Sequence, residues 1–347
     1  MRRLSQPLVL IALLLTLILG ACQNLPLGPT PTPQRPPRIA FMTDRDDDFE
    51  IYIMERDGSN PTNLTNDEAT DGLPTWSLQN NALAFVTTRD TDSLAVYRMD
   101  ADGGNLLALS VDTPADTGPP SWSPTGEWLA FGGGGDVNAD IYLVDRDGEN
   151  VHNLTDNPAQ DHFSAWSPDG QQLLFTSDRD DSLAIFAMRV QGGEPTRLTD
   201  ADSASAAPAW SPDGAKIAFM TSRDDDIEIY VMDADGANVI RLTESPGFDG
   251  YPAWSPDGTK IAFLSARDDN PEIYVMNADG SEPTNLTNSP AQESVQGDFA
   301  WSPDGSQILF HSDRDGDVEV YVMDADGSNQ ANLTNNPATD FGSIWVP

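Results

Sequence analysis

Three kinds of residue in this chain have the type and spacing to do chemistry. The first is a set of carboxylate runs, Asp46-Asp47-Asp48, Asp180-Asp181, Asp224-Asp225-Asp226, Asp268-Asp269 and Asp315-Gly316-Asp317. Clustered carboxylate oxygens suit a hard cation such as Ca2+, so Asp46, Asp48, Asp224, Asp226, Asp315 and Asp317 are candidate metal ligands, with a solvated acidic rim as the alternative. Asp44 to Glu55 imitates the ligand spacing of an EF-hand, but Phe49 stands where that loop needs glycine, and the match is rejected. The second set is an arginine just ahead of such runs: Arg45, Arg89, Arg179, Arg223, Arg267 and Arg314, each four residues after a phenylalanine. A guanidinium fork matches carboxylate geometry, and Asp71, Asp161, Asp249 and Asp340 each precede a tryptophan by five residues. A position repeated so evenly reads as structural, so these arginines are expected to tie adjacent loops through carboxylates and carbonyls. The third set, His152, His162 and His311, is too dispersed for a metal site and reads as incidental.

One residue points to a different chemistry. Cys22 is the only cysteine, and it follows Met1-Arg2-Arg3, an apolar run from Leu8 to Leu19, and Leu19-Gly20-Ala21. A short basic region, an apolar region and a small-residue cleavage site make residues 1–21 a targeting segment, since about a dozen apolar residues fall short of the roughly 20 that span a bilayer. The position of Cys22 resembles that of the lipid-modified cysteine of a bacterial lipobox, which implies acylation there. Residues 22–37, QNLPLGPTPTPQRPP after the cysteine, are proline-rich and read as an extended tether with a reach on the order of 45 Å. The expected localisation is export, with lipid anchoring to the cell membrane or outer membrane.

Charge narrows the partners. The chain has 18 Lys and Arg against 56 Asp and Glu, a net charge of −38. Such a surface repels nucleic acid and anionic lipid, so no nucleic-acid partner is expected and membrane contact runs through the anchor alone.

The elements that must position these groups repeat. Tryptophans at 76, 122, 166, 210, 254, 301 and 345 set a period of about 44 residues, and a period of 20–50 residues signals a solenoid, propeller or array. Each repeat holds four β-prone runs separated by turn residues, as in YPAW, SPDG, TKIAFLSARDDN, PEIYVMNADG, SEPTNLT from Tyr251 onward. The IAF-like and IYVM-like runs are apolar on both faces, as in a strand covered on both sides. Fourth strands are expected at Leu64, Leu109, Leu154, Leu198, Leu242, Leu286 and Leu333. The first repeat lacks its tryptophan-bearing strand, whereas Phe341 to Val346 has no second strand after it. The expected fold is therefore all-β: over residues 38–347, a seven-bladed β-propeller of four-stranded antiparallel blades, closed by the C-terminal strand joining the first blade.

The unit W-S-P-D-G-x-x-I-A-F-x-S-x-R-D, then I-Y-V-M-D-A-D-G, then L-T, resembles the TolB-type, WD40-like propeller repeat over nearly everything after residue 38. The type member of that family implies six blades, an N-terminal α/β domain and an envelope lipoprotein as partner. Seven blades and the short stretch ahead of them make that particular role carry over poorly. The same repeat resembles propellers of prolyl-oligopeptidase-like peptidases and oligogalacturonate-lyase-like enzymes. The first implies a hydrolase domain with a Gly-x-Ser-x-Gly elbow, which does not occur in this sequence. The second implies several histidine ligands, against three histidines in all. The expectation is a non-catalytic, monomeric module binding an envelope or extracellular protein, peptide or glycan. A polysaccharide- or peptide-processing enzyme and a Ca2+-stabilised surface protein are the alternatives; no cofactor motif is found, and Ca2+ is the one ion the acidic runs suggest. Blade three, with Gly132 to Gly135 and an extra Trp128, departs most from the repeat.

Overall fold

Runs rich in Ile, Val, Phe and Tyr between Pro, Asp and Gly turns form strands throughout the computed structural model, which describes residues 36–90, 94–110, 118–134, 139–224, 226–293 and 299–347. Cys22 and almost all of the tether lie outside the described residues. Residues 37–347 make one compact unit.

The strands fall into seven four-stranded antiparallel sheets. Blade 1 contains β1 (Arg38–Thr43), β2 (Glu50–Glu55) and β3 (Thr62–Asn63); blade 2 contains β4 (Asp71–Ser77), β5 (Ala82–Thr87), β6 (Ala95–Asp100) and β7 (Leu107–Ala108). Blade 3 is β8 (Ser121–Trp122), β9 (Trp128–Gly133), β10 (Asp140–Asp145) and β11 (His152–Asn153). Blade 4 is β12 (Asp161–Trp166), β13 (Gln172–Ser177), β14 (Ala184–Arg189) and β15 (Thr196–Arg197). Blade 5 is β16 (Ser205–Trp210), β17 (Lys216–Asp224), β18 (Asp226–Asp233) and β19 (Ile240–Arg241). Blade 6 is β20 (Asp249–Trp254), β21 (Lys260–Ser265), β22 (Glu272–Asn277) and β23 (Thr284–Asn285), and blade 7 is β24 (Ala300–Trp301), β25 (Gln307–Ser312), β26 (Glu319–Asp324) and β27 (Ala331–Asn332). The last strand, β28 (Asp340–Val346), pairs antiparallel with β1, Trp345 opposite Ile39, and supplies the first strand of blade 1. The ring thus has seven blades and closes through strands from both ends of the sequence. The fourth strands end one residue before the leucines expected to mark them. Each leucine amide still bonds the third strand, as Leu64 N does to Ile51 O at 2.8 Å, but the next residue turns its side chain back into the blade.

Packing explains why both faces of a strand are apolar. Ala40, Ile51 and Ile53 of blade 1 pack on Leu83, Phe85, Tyr97 and Met99 of blade 2, while Ile39, Phe41, Tyr52 and Met54 pack on Leu309, Val320 and Val322 of blade 7. The strand phenylalanines, Phe41, Phe85, Phe131, Phe175, Phe219, Phe263 and Phe310, are fully buried, each contributing about 1.5–3 kcal/mol. The first strands of neighbouring blades touch one another, as β16 does β20 and β28 does β4, so they are the innermost. There the tryptophans stitch the ring: the indole N–H of Trp166, Trp254, Trp301 and Trp345 donates to the carbonyl of Ser121, Ala209, Ala253 and Ala300 in the preceding blade at 3.0–3.2 Å.

Because successive strands alternate in direction, the Ser-Pro-Asp-Gly and Asp-Ala-Asp-Gly turns lie on one face, and the arginine loops and blade-to-blade crossovers lie on the other. In the first kind of turn, Ser255 Oγ donates to Asp257 at 2.6 Å and accepts from Lys260 N at 3.0 Å. Ser255 and Thr259 together hold the Asp257 carboxyl down to about 2.

Candidate functional site

The six repeated arginines converge on one local construction. Where it is complete, Nε donates to the hydroxyl that ends the second strand and Nη2 reaches a fully buried carboxylate on the first strand, so the tie runs within a blade. Arg89 bonds Thr87 Oγ1 at 3.0 Å and Asp71 at 2.8 and 2.9 Å; Arg179 holds Asp161 at 2.8 and 2.9 Å. Arg267 reaches Asp249 at 2.7 Å and Arg45 reaches Asp340 at 3.0 Å. The guanidinium also lies over the phenylalanine and tyrosine of its own blade, at 5.6 and 4.6 Å for Arg267, a favourable cation–π geometry. The same aspartates link blades through their backbone: Asp71 N donates to Phe49 O and Asp340 N to Val318 O, both at 2.8 Å. Burial pushes the Asp71 carboxyl above its usual range, opposed by Thr87 and Arg89.

Two blades differ. In blade 5, Ser205 replaces the aspartate, and Arg223 turns to the exposed Asp200 at 2.9 Å instead. In blade 7, Arg314 binds the buried Glu293 at 2.8 Å. Spacing from the tryptophan misses Glu293 because three extra residues separate Trp254 from Trp301 and move the partner to eight ahead. Those three residues are the signal that would have located it.

The acidic runs are drawn into this scaffold. The hydroxyls of Tyr52, Tyr230 and Tyr321 donate to Asp46, Asp224 and Asp315, and Asn63 and Asn332 add bonds to Asp46 and Asp315 at 3.1 and 3.2 Å. Burial first, then the aspartate, pushes Tyr52 and Tyr230 up to about 12. Asp226 and Asp317 are exposed and Asp48 is half-buried beside Glu50. Among the described residues no group of three or more His, Cys, Asp or Glu is placed to hold a metal ion.

A second buried network has no counterpart in the sequence reading. Glu50, Glu272 and Glu319 open the third strands of three blades and Glu228 stands third in β18, each 0–3% exposed. Each accepts from the threonine after the repeat leucine: Thr65, Thr243, Thr287 and Thr334. Each threonine hydroxyl also accepts a strand amide, Ile51 N at 3.0 Å in blade 1. The Leu-Thr dipeptide thus anchors the fourth strand to a buried carboxylate, and its repetition was the available signal. Burial raises Glu50 and Glu319.

What these ties leave open is the axial mouth on the arginine-bearing face. Just inside Asp71, Ser205 and Asp249 the first strand carries a bulge, with its register broken between Gly72 and Thr75, Ala206 and Ala209, and Gly250 and Ala253. Leu73, Ala207 and Tyr251 take φ of 53°, 48° and 53° there, and Gly342 takes 61°. Left-handed backbone in a non-glycine residue costs of order 1–3 kcal/mol and marks a constrained site. Around the mouth stand the partly exposed Leu73, Tyr251 and Phe341, with Phe248 5.8 Å from Tyr251 and Phe49 5.5 Å from Phe341. Deeper in, the residues before the tryptophans are Thr75, Ser121, Ala165, Ala209, Ala253, Ala300 and Ile344, all small or apolar. Of the histidines, His162 is exposed on β12, His152 packs edge-on to Trp128 at 5.5 Å, and His311 is buried 3.1 Å from Ser343 Oγ.

Comparison with known proteins places this geometry among relatives. Residues 109–206 and 196–297 match the TolB beta propeller domain family. The chain is 36% identical over 77 residues to an uncharacterized peptidase of Bacillus subtilis, covering 22% of this chain and 11% of that protein. It is 32% identical over 119 residues to the Tol-Pal system protein TolB of Desulfosudis oleivorans, covering 34% of this chain and 26% of that one. Among solved structures, TolB of Acinetobacter baumannii superposes with a TM-score of 0.54 at 25% identity, covering 72% of this chain and 63% of its own. Oligogalacturonate lyase of Vibrio parahaemolyticus shares the fold, with a TM-score of 0.66 at 15% identity over 82% of this chain and 85% of that one. The matched segments are thus a small part of both sequence relatives.

Proposed function

Because the chain belongs to the TolB β-propeller family, we propose that it is a non-catalytic interaction module of the cell envelope that takes a protein or peptide segment at its axial mouth. The observation that carries this reading is the lining of the first strands. Their carboxylates, Asp71, Asp161, Asp249 and Asp340, are buried, and each is held by an arginine. A general acid or base must reach the proton it transfers, and these groups face away from solvent. The partly exposed side chains are instead aromatic, aliphatic or small, and aromatic anchors carry most binding energy at protein interfaces. A glycan is disfavoured because, among the described residues, the side chains at the mouth are mainly aromatic, aliphatic or small.

We further read the chain as exported and held at the membrane through Cys22, with its acidic body turned away from the lipid. The test is crosslinking in intact cells, comparing the wild-type chain with Tyr251→Asp and Phe341→Asp. A partner captured by the wild type and lost in both variants supports the reading. Equal capture by all three, or peptide or polysaccharide cleavage by the purified chain, overturns it.

A further inference from the structure

The outer hairpin between the third and fourth strands obeys one design in most blades, and blade 4 breaks it. A glycine in the turn approaches the preceding blade so closely that a Cβ on Gly58, Gly103, Gly148, Gly236, Gly280 or Gly327 would lie 2.5–3.0 Å from a backbone carbonyl oxygen. At Gly192 nothing lies within 4 Å. A side-chain bond also closes five of these hairpins: Asn105 donates to Asp100 at 2.7 Å, Asn238 to Asp233 at 2.5 Å, Asn277 to Glu282 at 3.1 Å and Asn329 to Asp324 at 2.7 Å, with Asn150 and Asp145 the fifth pair. Blade 4 has Arg189 and Glu194 at these two positions. Opposite charges there should attract, yet no ion pair joins them, and both side chains stand exposed.

A groove of about 580 Å3 lies beside this hairpin on blade 4, bordered by Ala234 and Asp235 of blade 5. Its floor is apolar, Met188 and Leu198, and Arg189 and Glu194 line it with Gln172 and Thr196. The volume is that of a small-ligand site, about 300–1,000 Å3. In a chain of net charge −38, almost every other described arginine already has a carboxylate partner; Arg189 is unpaired and exposed. Nearby Glu194 and Asp235 would repel a polyanion, and the unpaired Arg189 would repel a polycation. A ligand with one charge of each sign and an apolar group between them satisfies all of these.

We propose that this groove binds a short peptide with free termini, its carboxylate on Arg189, its ammonium toward Glu194 and an apolar side chain over Met188 and Leu198. The site lies on the face opposite the axial mouth, so it stands or falls independently of the function proposed above. The experiment is calorimetric titration of the full chain with the tripeptide Ala-Leu-Ala. Saturable one-to-one binding is expected, weakened about tenfold or more by Arg189→Gln and by Glu194→Gln, as loss of a charge-assisted bond implies. Acetylating the amino terminus or amidating the carboxyl terminus should each cause a similar loss. Arg146→Gln on the blade 3 hairpin should change nothing. No saturable binding, equal binding of the doubly blocked peptide, insensitivity to Arg189→Gln, or binding of a sugar acid in place of the peptide overturns the proposal.

Discussion

Arg89→Met tests the claim that the repeated arginines are structural. The substitution keeps an apolar stem over Phe85 and Tyr97 but removes the guanidinium that holds Asp71 at 2.8 and 2.9 Å. Asp71 is fully buried, whereas Arg89 is 14% exposed. Breaking a buried pair by removing one partner costs about 3–5 kcal/mol, because the remaining charge has no compensation. Arg223→Met is the internal control: its partner Asp200 is 76% exposed, and exposed pairs contribute roughly 0–1 kcal/mol. The assay is urea denaturation followed by tryptophan fluorescence, from pH 4 to pH 8. The sign of the pH dependence follows from Asp71, whose folded-state pKa already lies above its ordinary value because of burial. Loss of Arg89 raises it further. A group with a raised folded pKa favours the folded state while protonated and loses that contribution as pH climbs through the folded value. The deficit of Arg89→Met relative to wild type should therefore be smallest near pH 4 and deepen toward neutrality. Equal losses at Arg89 and Arg223, or a deficit flat with pH, would refute the reasoning.

Further outcomes follow from the same geometry. Thr65→Val leaves the Ile51 amide and the Glu50 carboxyl without their shared hydroxyl and should cost about 1–3 kcal/mol, read by the same denaturation. Ala207→Gly relieves a left-handed φ of 48° at the loss of one methyl group and should stabilise by about 1 kcal/mol. Trp345→Ala removes an indole 6% exposed that packs blade 1 on blade 7, and should cost about 3–5 kcal/mol. Cys22→Ala should abolish incorporation of labelled fatty acid in growing cells, and label retained by that variant would reject Cys22 as the attachment point.

Blade number, strand order and ring closure were legible in the sequence because each rests on a periodic signal: the tryptophans, the turns, and a missing first strand matched by a surplus last one. The arginine partners were half legible. Asp71 and Asp249 stand at a constant offset from tryptophan, but Glu293 is displaced by an insertion and Ser205 has no carboxyl at all. The tyrosines that engage Asp46 and Asp315 were read only as strand residues, since nothing in a linear pattern brings a hydroxyl to a loop six residues earlier. Backbone reversal at Leu73 and Tyr251 was hidden, because leucine and tyrosine carry no signature of positive φ. The glycine run at Gly132 is conspicuous in the sequence, whereas the hairpin at Arg189 is not, because its departure lies in what Gly192 fails to touch.

The pairing of β1 with β28 also sets a timetable. The first strand made and the strand that completes its sheet are about 300 residues apart, so at roughly 5–20 residues per second β1 waits some 15–60 s for its partner. During that interval one edge of β1 is unpaired, with Ile39 and Phe41 not yet covered by the closing strand. An unpaired edge is a template for another strand, and the nearest wrong one is β28 of a second copy. Two chains that exchange β28 would each form a complete ring, so slow synthesis or crowding should yield a swapped dimer built wholly from native contacts.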